Sequence, residues 1–208
     1  MKLLILGASG GTGQQLVLQA LEQDHEVTAF VRDPAKMNIS HEKLSVIKGD
    51  VLDENILMKA LEGKDVVISA LGCGKSLKSD NLITNAMNTI IPAMNATGIR
   101  RIVFESAFGV GDTLKQANFV QKLIFRSLLK NIYGDKEKAE EQLRSSGLDW
   151  ILVYPVVLTN GPATGEYQVA EKLPMKGMPK VSRADVAHFM LRQLADQSFL
   201  KKGAVIMN

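Results

Sequence analysis

Short apolar runs alternate along the chain with longer segments in which apolar residues recur every three or four positions. The short runs predict six strands, at residues 3–6, 26–31, 44–48, 65–71, 101–105 and 150–154. The segments between them have the spacing of amphipathic helices. Strands that alternate with helices indicate an α/β fold with a doubly wound parallel sheet, because parallel neighbours need a crossover connection.

Several residues mark where the first predicted helices begin, bend or end. Asp53 has a side chain suited to cap the helix that follows the third strand. The next helix is expected over residues 81–96, where Pro92 predicts a kink and Gly98 predicts the end.

The longest helical stretch spans residues 116–146. Glycine is a poor helix former, so we expect this stretch to break near Gly134. Residues 114–129 combine basic with apolar positions. We expect their apolar stripe to cover the sheet or a partner subunit, in preference to a membrane surface.

The pattern loosens after the sixth strand. Residues 155–181 are rich in Gly and Pro and form a small C-terminal extension, which we expect on the substrate side because ligands bind outside the carboxyl ends of parallel strands. A helix over 183–195, capped by Ser182 with Asp185 three residues later, and a strand near Val205 complete the chain. We expect one domain over residues 1–208.

A glycine-rich loop separates the first strand from the first helix. Its glycines Gly7, Gly10 and Gly13 have the spacing GxxGxxG, with Ser9, Gly11 and Thr12 between them. In this pattern the first glycine allows a tight turn, the second a close approach to phosphates, and the third close helix packing. The free N–H groups of the helix then bind an anion. The loop indicates a Rossmann-type dinucleotide site.

The end of the second strand bears on which dinucleotide is bound. Proteins that select NAD often carry a carboxylate there for the ribose 2′-hydroxyl, whereas this chain has Val31 and Arg32. Arg32 and Lys36 are suited to a 2′-phosphate, and Asp33 is expected to cap or to turn toward solvent. We therefore predict NADP(H) as the cofactor.

Two other strand ends complete the predicted cofactor site. Asp50 and Val51 follow the third strand, where a side chain can approach the adenine, although a plain turn is an alternative for Asp50. Ala70, Leu71 and Gly72 end the fourth strand, where small residues let the backbone pass close to the cofactor.

Composition excludes several other classes of protein. The 208 residues are 46% hydrophobic and carry 25 basic and 22 acidic residues, a balance that does not indicate nucleic-acid binding. No apolar run reaches the roughly 18 residues of a bilayer span. Cys73 is the one cysteine, and the three histidines show no ligand spacing with it, so we expect no metal site and a cytoplasmic location.

Taken together, five motifs resemble the atypical short-chain dehydrogenase/reductases. They are Gly7 to Gly13, Val31-Arg32-Asp33, Gly49-Asp50-Val51-Leu52, Ser106-Ala107-Phe108 and Ser146-Gly147-Leu148. Within that group the chain looks most like the flavin reductase/biliverdin reductase B proteins and the NmrA-like NAD(P)-binding proteins. The resemblance implies hydride transfer from NADPH to a planar conjugated acceptor such as a flavin, quinone or tetrapyrrole. It also implies a small-molecule partner and leaves a homo-oligomer open.

The resemblance also assigns residues near the nicotinamide. Ser106 matches the family's serine and is the predicted catalytic residue, because its hydroxyl can donate a hydrogen bond where negative charge develops. A bond to a strand-end carbonyl is the alternative. The other residues implied at this end are Ala107, Phe108, Tyr154, Pro155 and Val156, with Phe108 and Tyr154 also facing the substrate.

The chain departs from the family in two places. Ordinary short-chain dehydrogenases use Tyr-x-x-x-Lys, whereas Tyr133 and Lys136 are one residue closer, so we do not assign Tyr133 as a general acid. Val157 stands where the flavin and biliverdin reductases carry a histidine. The roles of Lys136 and Cys73 stay open. These departures leave two alternatives, an NADP-binding redox sensor without turnover and an NAD(P)-dependent isomerase or epimerase.

Overall fold

The computed structural model describes residues 1–74, 76 and 79–208. Its strands are β1 Lys2–Leu6, β2 Glu26–Val31, β3 Leu44–Lys48, β4 Val66–Ser69, β5 Arg101–Glu105, β6 Asp149–Pro155, β7 Val157–Thr159, β8 Gln168–Ala170, β9 Lys180–Ser182 and β10 Gly203–Met207. Its α-helices are α1 Gly11–Glu22, α2 Glu54–Leu61, α3 Leu82–Thr97, α4 Phe119–Ser127, α5 Lys130–Ser145 and α6 Arg183–Arg192. Short 3₁₀ helices span Pro34–Lys36 and Gly111–Gln116.

Eight strands form one sheet in the order β3-β2-β1-β4-β5-β6-β10-β8. All neighbours in this sheet are parallel except β8, which runs antiparallel to β10. The strand order reverses between β1 and β4, where the chain proceeds to one side through β2 and to the other through β5. This order confirms the predicted Rossmann-type α/β fold, and it places a topological switch point beside the end of β1.

The apolar runs form strands because both faces of the sheet are covered. Leu3, Leu4, Ile5 and Leu6 of β1 have no exposed surface, since helices cover alternate side chains on opposite faces. The strand β4 is shorter than the predicted 65–71 because Ser69 lies opposite Leu6, where its partner β1 ends.

Most of the predicted helix ends agree with the structure. The Asp53 side chain accepts a hydrogen bond from the Ile56 N–H at 3.1 Å and so caps α2. Gly98 ends α3 with a φ of 75°, and Pro92 lies inside that helix. Ser182 caps α6 by accepting from the Asp185 N–H at 2.9 Å, although this helix ends at Arg192 and not at residue 195.

The predicted break at Gly134 is wrong. The chain turns at Leu128 and Leu129 instead, and α5 continues through Gly134. The next residue, Asp135, explains this continuity, because its buried carboxylate accepts from the N–H groups of Ile83 and Thr84 at 3.0 and 2.8 Å. The contact caps α3 and fixes α5 against it, which offsets the roughly 1 kcal/mol that glycine costs in a helix.

The apolar stripe of residues 114–129, expected to cover the sheet or a partner subunit, does not cover the sheet, and its contact with a partner subunit stays a prediction. Phe119 is 83% exposed, and Val120, Leu123 and Leu128 are each more than half exposed. The inner face of α4 is formed by Gln121 and by Phe125, which packs on Tyr133 with ring centroids 5.1 Å apart. The turn before α5 therefore directs the stripe outward.

The C-terminal extension folds beside the first helix. The strands β7 and β9 pair in a separate parallel ribbon, and α6 packs along α1. Asp185 of α6 accepts from the N–H groups of Thr164 and Gly165 at 2.8 and 2.9 Å, which ties the intervening loop down. Within the described part of the chain, the helices all lack the length and apolar character that a bilayer crossing needs.

Replacement of Gly134 tests the continuity of α5. A methyl group at this position would meet no heavy atom within 4 Å. Because alanine favours a helix over glycine, Gly134→Ala should raise the free energy of unfolding by about 0.5–1 kcal/mol. Urea unfolding followed by circular dichroism measures this change.

Gly98→Ala is the matched control. It is equally free of steric contacts, but its φ of 75° is unfavourable for alanine, so this variant should be less stable than the unmodified protein. A loss of stability in Gly134→Ala comparable to that in the control would contradict a regular helix at residue 134.

Candidate functional site

A cavity of about 500 Å³ opens at the carboxyl ends of β1, β2, β4 and β5, beside the switch point of the sheet. This volume lies within the range of about 300–1,000 Å³ that is typical of small-molecule sites. Most predicted cofactor residues line it. They are Gly7, Ser9, Gly10, Gly11, Thr12, Arg32, Lys36, Asp50, Val51, Ala70, Leu71, Gly72, Ser106 and Ala107.

The glycine-rich loop is held by contacts between backbone segments. Gly7 has a φ of 75°, and a Cβ there would lie 2.5 Å from the carbonyl oxygen of Ala70. Gly13 does not line the cavity, but a Cβ on it would lie 2.1 Å from the carbonyl oxygen of Gly7. The first and third glycines thus bring β1, β4 and α1 together without intervening side chains.

The helix that follows the loop begins without a side-chain cap. Gly10 is the capping residue, and its N–H donates to the Gly7 carbonyl at 2.9 Å. Gly10 offers no side-chain cap, and among the described residues no side chain accepts a hydrogen bond from the N–H groups of the first turn of α1. These donors and the positive end of the helix dipole face the cavity, an arrangement that binds phosphate in other proteins.

Arg183 reaches this loop from the start of α6, and sequence reasoning missed it. Its side chain covers Gly11 so closely that a Cβ there would lie 2.6 Å from the Arg183 Cδ. The guanidinium donates to Asn160 Oδ1 at 2.6 Å and lines the cavity. No local pattern points to this contact, because more than 160 positions separate Arg183 from the loop that it covers.

The opposite end of the cavity, at β2 and β3, is polar and basic. Arg32 is exposed, and no hydrogen bond or ion pair joins its guanidinium to the described residues. The Asp33 side chain accepts a hydrogen bond from the Ala35 N–H at 3.2 Å and so caps the 3₁₀ helix Pro34–Lys36, one of the two roles expected from the sequence. Lys36 lies 3.9 Å from Asp33 and remains largely exposed. Asp50 accepts from the Leu52 N–H at 3.0 Å, which is the turn interaction considered as its alternative.

Two buried charged residues lie at the end of β5. Thr12 of the glycine-rich loop donates from its hydroxyl to Glu105 Oε1 at 3.0 Å, and Lys136 of α5 donates to the Glu105 carbonyl oxygen at 3.0 Å. Burial raises the pKa of Glu105 and lowers the pKa of Lys136, while each charge partly opposes the shift of the other. Both residues line the cavity, so the structure places Lys136, whose role the sequence left open, at the site.

Ser106 lines the cavity beside this pair and begins a buried hydrogen-bond network. Its hydroxyl donates to Glu140 Oε1, and the Tyr154 hydroxyl donates to Glu140 Oε2 at 2.7 Å. Arg144 in turn donates to the Tyr154 hydroxyl at 3.0 Å. Ser106 therefore bonds a carboxylate, and not the strand-end carbonyl that was its alternative partner.

Several residues predicted near the nicotinamide are not among those that line the cavity: Phe108, Tyr154, Pro155 and Val156. Tyr154 is only 2% exposed, and its hydroxyl is bonded to Glu140 and Arg144 of α5. Phe108 is buried against Phe125, with ring centroids 6.2 Å apart. All four residues are buried, but none of them lines the cavity.

Tyr133 also lies outside the cavity lining. Its hydroxyl donates to the Phe108 carbonyl at 3.1 Å, and burial raises the pKa of Tyr133 to about 12. Cys73 does line the cavity, where burial raises the pKa of its thiol and so disfavours a reactive thiolate. The described residues contain no group of three side chains suited to hold a metal ion.

Comparison with known proteins adds a family match that covers most of the chain. A family model described as NAD(P)H-binding matches residues 7–197. A Bacillus subtilis protein named as an uncharacterized sugar epimerase, YhfK, is 29% identical over 205 residues, which cover 95% of this chain and 90% of that protein. The match agrees with the predicted cofactor class.

Solved structures share the fold over the whole chain. A short-chain dehydrogenase/reductase from Veillonella parvula, solved in complex with NADP, has a TM-score of 0.84 and 24% identity and covers 100% of this chain and 94% of its own. ChuY, described as an anaerobillin reductase from Escherichia coli O157:H7, has a TM-score of 0.83 and 24% identity, with coverage of 100% and 97%.

Proposed function

The chain belongs to the NAD(P)H-binding family, and from this premise we propose that it is a cytoplasmic, NADPH-dependent reductase of a small, planar, conjugated acceptor such as a flavin, quinone or tetrapyrrole. The observation that carries the proposal is the position of the Ser106 hydroxyl and of the buried Lys136 and Glu105, all lining the same cavity as the glycine-rich loop. Polar groups of this kind beside a dinucleotide site are suited to orient an acceptor for hydride transfer.

The polar end of the cavity supports a preference for NADPH over NADH. The guanidinium of Arg32 is unpaired among the described residues, and Lys36 adds a second cation at the same edge. Asp33, the one carboxylate beside them on this turn, is engaged by the Ala35 N–H. A 2′-phosphate supplies the charge-assisted partner that Arg32 lacks among the described residues, and it would compete with the Asp33 carboxylate, 3.9 Å away, for Lys36.

The glycine-rich loop would bind the phosphates of the cofactor, and the residues at the end of β5 would orient the nicotinamide and the acceptor. The first-turn N–H groups of α1, with Arg183 above them, are suited to the pyrophosphate. When bound, NADPH supplies the hydride. Lys136 and the Thr12–Glu105 pair form the polar lining at the nicotinamide end. The Ser106 hydroxyl, which donates to Glu140 in this structure, would turn from that carboxylate and donate to the acceptor atom on which negative charge develops.

Apolar side chains lining the cavity fit a flat conjugated acceptor. Leu71 follows β4, and Leu82 is the first residue of α3. Ile132 comes from α5, and Leu158 comes from the C-terminal extension. Such walls exclude water and favour stacking of a planar ring. The description of ChuY as an anaerobillin reductase agrees with this acceptor class.

Turnover separates the reductase from its two alternatives. Purified protein with NADPH and a panel of FMN, riboflavin, quinones and biliverdin should show loss of NADPH absorbance with at least one acceptor. Tight NADPH binding without turnover across the panel would favour a redox sensor. Cofactor retained unchanged while a sugar nucleotide is converted would favour the epimerase that the name of YhfK suggests.

The second prediction concerns the cofactor preference. Arg32→Ala should weaken NADPH binding by about 1.5–3 kcal/mol and leave NADH binding nearly unchanged, because the lost contact is charge-assisted and specific to the 2′-phosphate. Isothermal titration with both cofactors measures the difference. Lys48→Ala, at a nearby exposed lysine of β3 that does not line the cavity, is the matched control. Equal affinities for the two cofactors in the unmodified protein would refute the preference.

A further inference from the structure

Glu140 lies directly behind Ser106, outside the cavity lining. It is one turn after Lys136 on α5 and is only 2% exposed. Both carboxylate oxygens accept hydrogen bonds from hydroxyl groups, one from Ser106 and one from Tyr154. The side chain thus joins the residue that faces the cavity to a residue that does not.

This placement costs free energy that a purely structural contact would not need. A buried carboxylate loses its hydration, and two neutral hydroxyl donors recover only part of it. Burial accordingly raises the pKa of Glu140, although the bonds from Ser106 and Tyr154 and the charges of Arg144 and Lys136 oppose the shift. Glutamine would accept one of the two hydroxyl bonds through its amide oxygen and would carry no charge.

The network also ends on a partly exposed cation. Arg144 lies 3.7 Å from Glu140, donates to the Tyr154 hydroxyl and has a side chain that is 41% exposed, stacked over the Trp150 ring at 5.0 Å. The guanidinium stays protonated and only donates, so Arg144 stabilises the Glu140 carboxylate and carries no protons. Ser106 is the member of the network that lines the cavity, and protons therefore reach Glu140 through the Ser106 hydroxyl.

Resting on the proposed reductase function, we propose that Glu140 is a positioning residue that acts through Ser106 and supplies the proton which Ser106 passes to the acceptor. When Glu140 is protonated, the hydrogen bond between the two residues reverses: the Glu140 O–H donates to Ser106 Oγ, and the Ser106 O–H is free to donate into the cavity. As the hydride arrives, the O–H bond of Ser106 breaks and its proton moves to the acceptor atom that becomes negative. The O–H bond of protonated Glu140 breaks in turn, and a new O–H bond forms on Ser106 Oγ. The acceptor gains one hydride and one proton. After the product leaves, water in the cavity protonates Ser106 Oγ as the Ser106 hydroxyl proton returns to the Glu140 carboxylate, which restores both groups for the next turnover.

The charged groups around Glu140 determine how this step depends on pH. On its own helix, Lys136 and Arg144 favour the carboxylate. From β6, Tyr154 faces it, and Glu105 at the end of β5 lies beside Lys136. Asp112 belongs to the 3₁₀ helix Gly111–Gln116 and lies close enough to Arg144 that the guanidinium helps to lower the pKa of the Asp112 carboxyl.

The sign of the pH dependence follows from the role of Glu140 as an acid. Transfer needs the protonated form, so the rate is highest at low pH and falls as pH rises through the pKa of Glu140. Loss of a neighbour that stabilises the carboxylate should move this fall to higher pH.

The test is the pH profile of single-turnover NADPH oxidation, with an acceptor on which the unmodified protein is active. Glu140→Gln should lower the rate by on the order of 10²-fold, abolish the fall at higher pH and leave the NADPH dissociation constant unchanged. Arg144→Met and Tyr154→Phe should each keep the fall but shift it to higher pH. Glu141→Gln, at the neighbouring exposed position, is the control and should leave rate and profile unchanged.

The two shifted variants keep the test informative if Glu140→Gln does not fold. Shifted profiles in Arg144→Met and Tyr154→Phe would support the relay, because a purely structural role for Glu140 would not move the pH of the fall. A Glu140→Gln enzyme with the original rate and profile, or shifted variants with unmoved profiles, would overturn this inference alone. Absence of turnover in the unmodified protein across the acceptor panel would overturn the proposed function and the inference with it.

Discussion

At the switch point of the sheet, the glycine-rich loop packs backbone against backbone. Gly7 meets the carbonyl of Ala70, and Gly13 meets the carbonyl of Gly7, both at distances that leave no space for a side chain. This packing brings the start of α1 to the edge of the cavity, where its first-turn N–H groups have no side-chain cap from the described residues. The polar groups at the end of β5 then face the same space, because β5 is the neighbour of β4. The position of the whole site depends on this close approach.

A second constraint is the burial of charge at the end of β5. Glu105, Lys136 and Glu140 are all nearly inaccessible to water, and each is held by hydrogen bonds to neighbours: Thr12 for Glu105, the Glu105 carbonyl for Lys136, and two hydroxyl groups for Glu140. Buried ionisable groups are costly and cluster at functional sites. Here they surround Ser106 and lie away from the basic edge at Arg32, so the cavity has an anion-binding end and a reactive end. This polarity matches a dinucleotide, whose phosphates and nicotinamide lie at different ends.

The fold and the cofactor end of the site were predictable from the sequence, because both depend on local patterns. The apolar runs predicted the strands, and the glycine spacing with Arg32 predicted the loop and the basic edge.

The role of Lys136 could not be resolved, since its spacing from Tyr133 departs from the expected motif and only the course of α5 brings it to the cavity. Arg183 and Glu140 reach the site through packing between elements that are distant in sequence. Tyr154 was expected in the cavity from its strand-end position, but the direction of its ring depends on Glu140. Gly134 did not break its helix because Asp135 ties that turn to α3, a tertiary contact that propensity does not contain.

One dinucleotide is expected to span this cavity from Arg32 to Ser106, and a crystal structure of the protein with NADPH would show its position. We expect the 2′-phosphate against Arg32 and Lys36, the pyrophosphate on the N–H groups at the start of α1 beneath Arg183, and the nicotinamide ring beside Ser106 and Lys136. A dinucleotide bound elsewhere, or bound in this cavity with its nicotinamide ring turned away from Ser106, would refute this placement of the site.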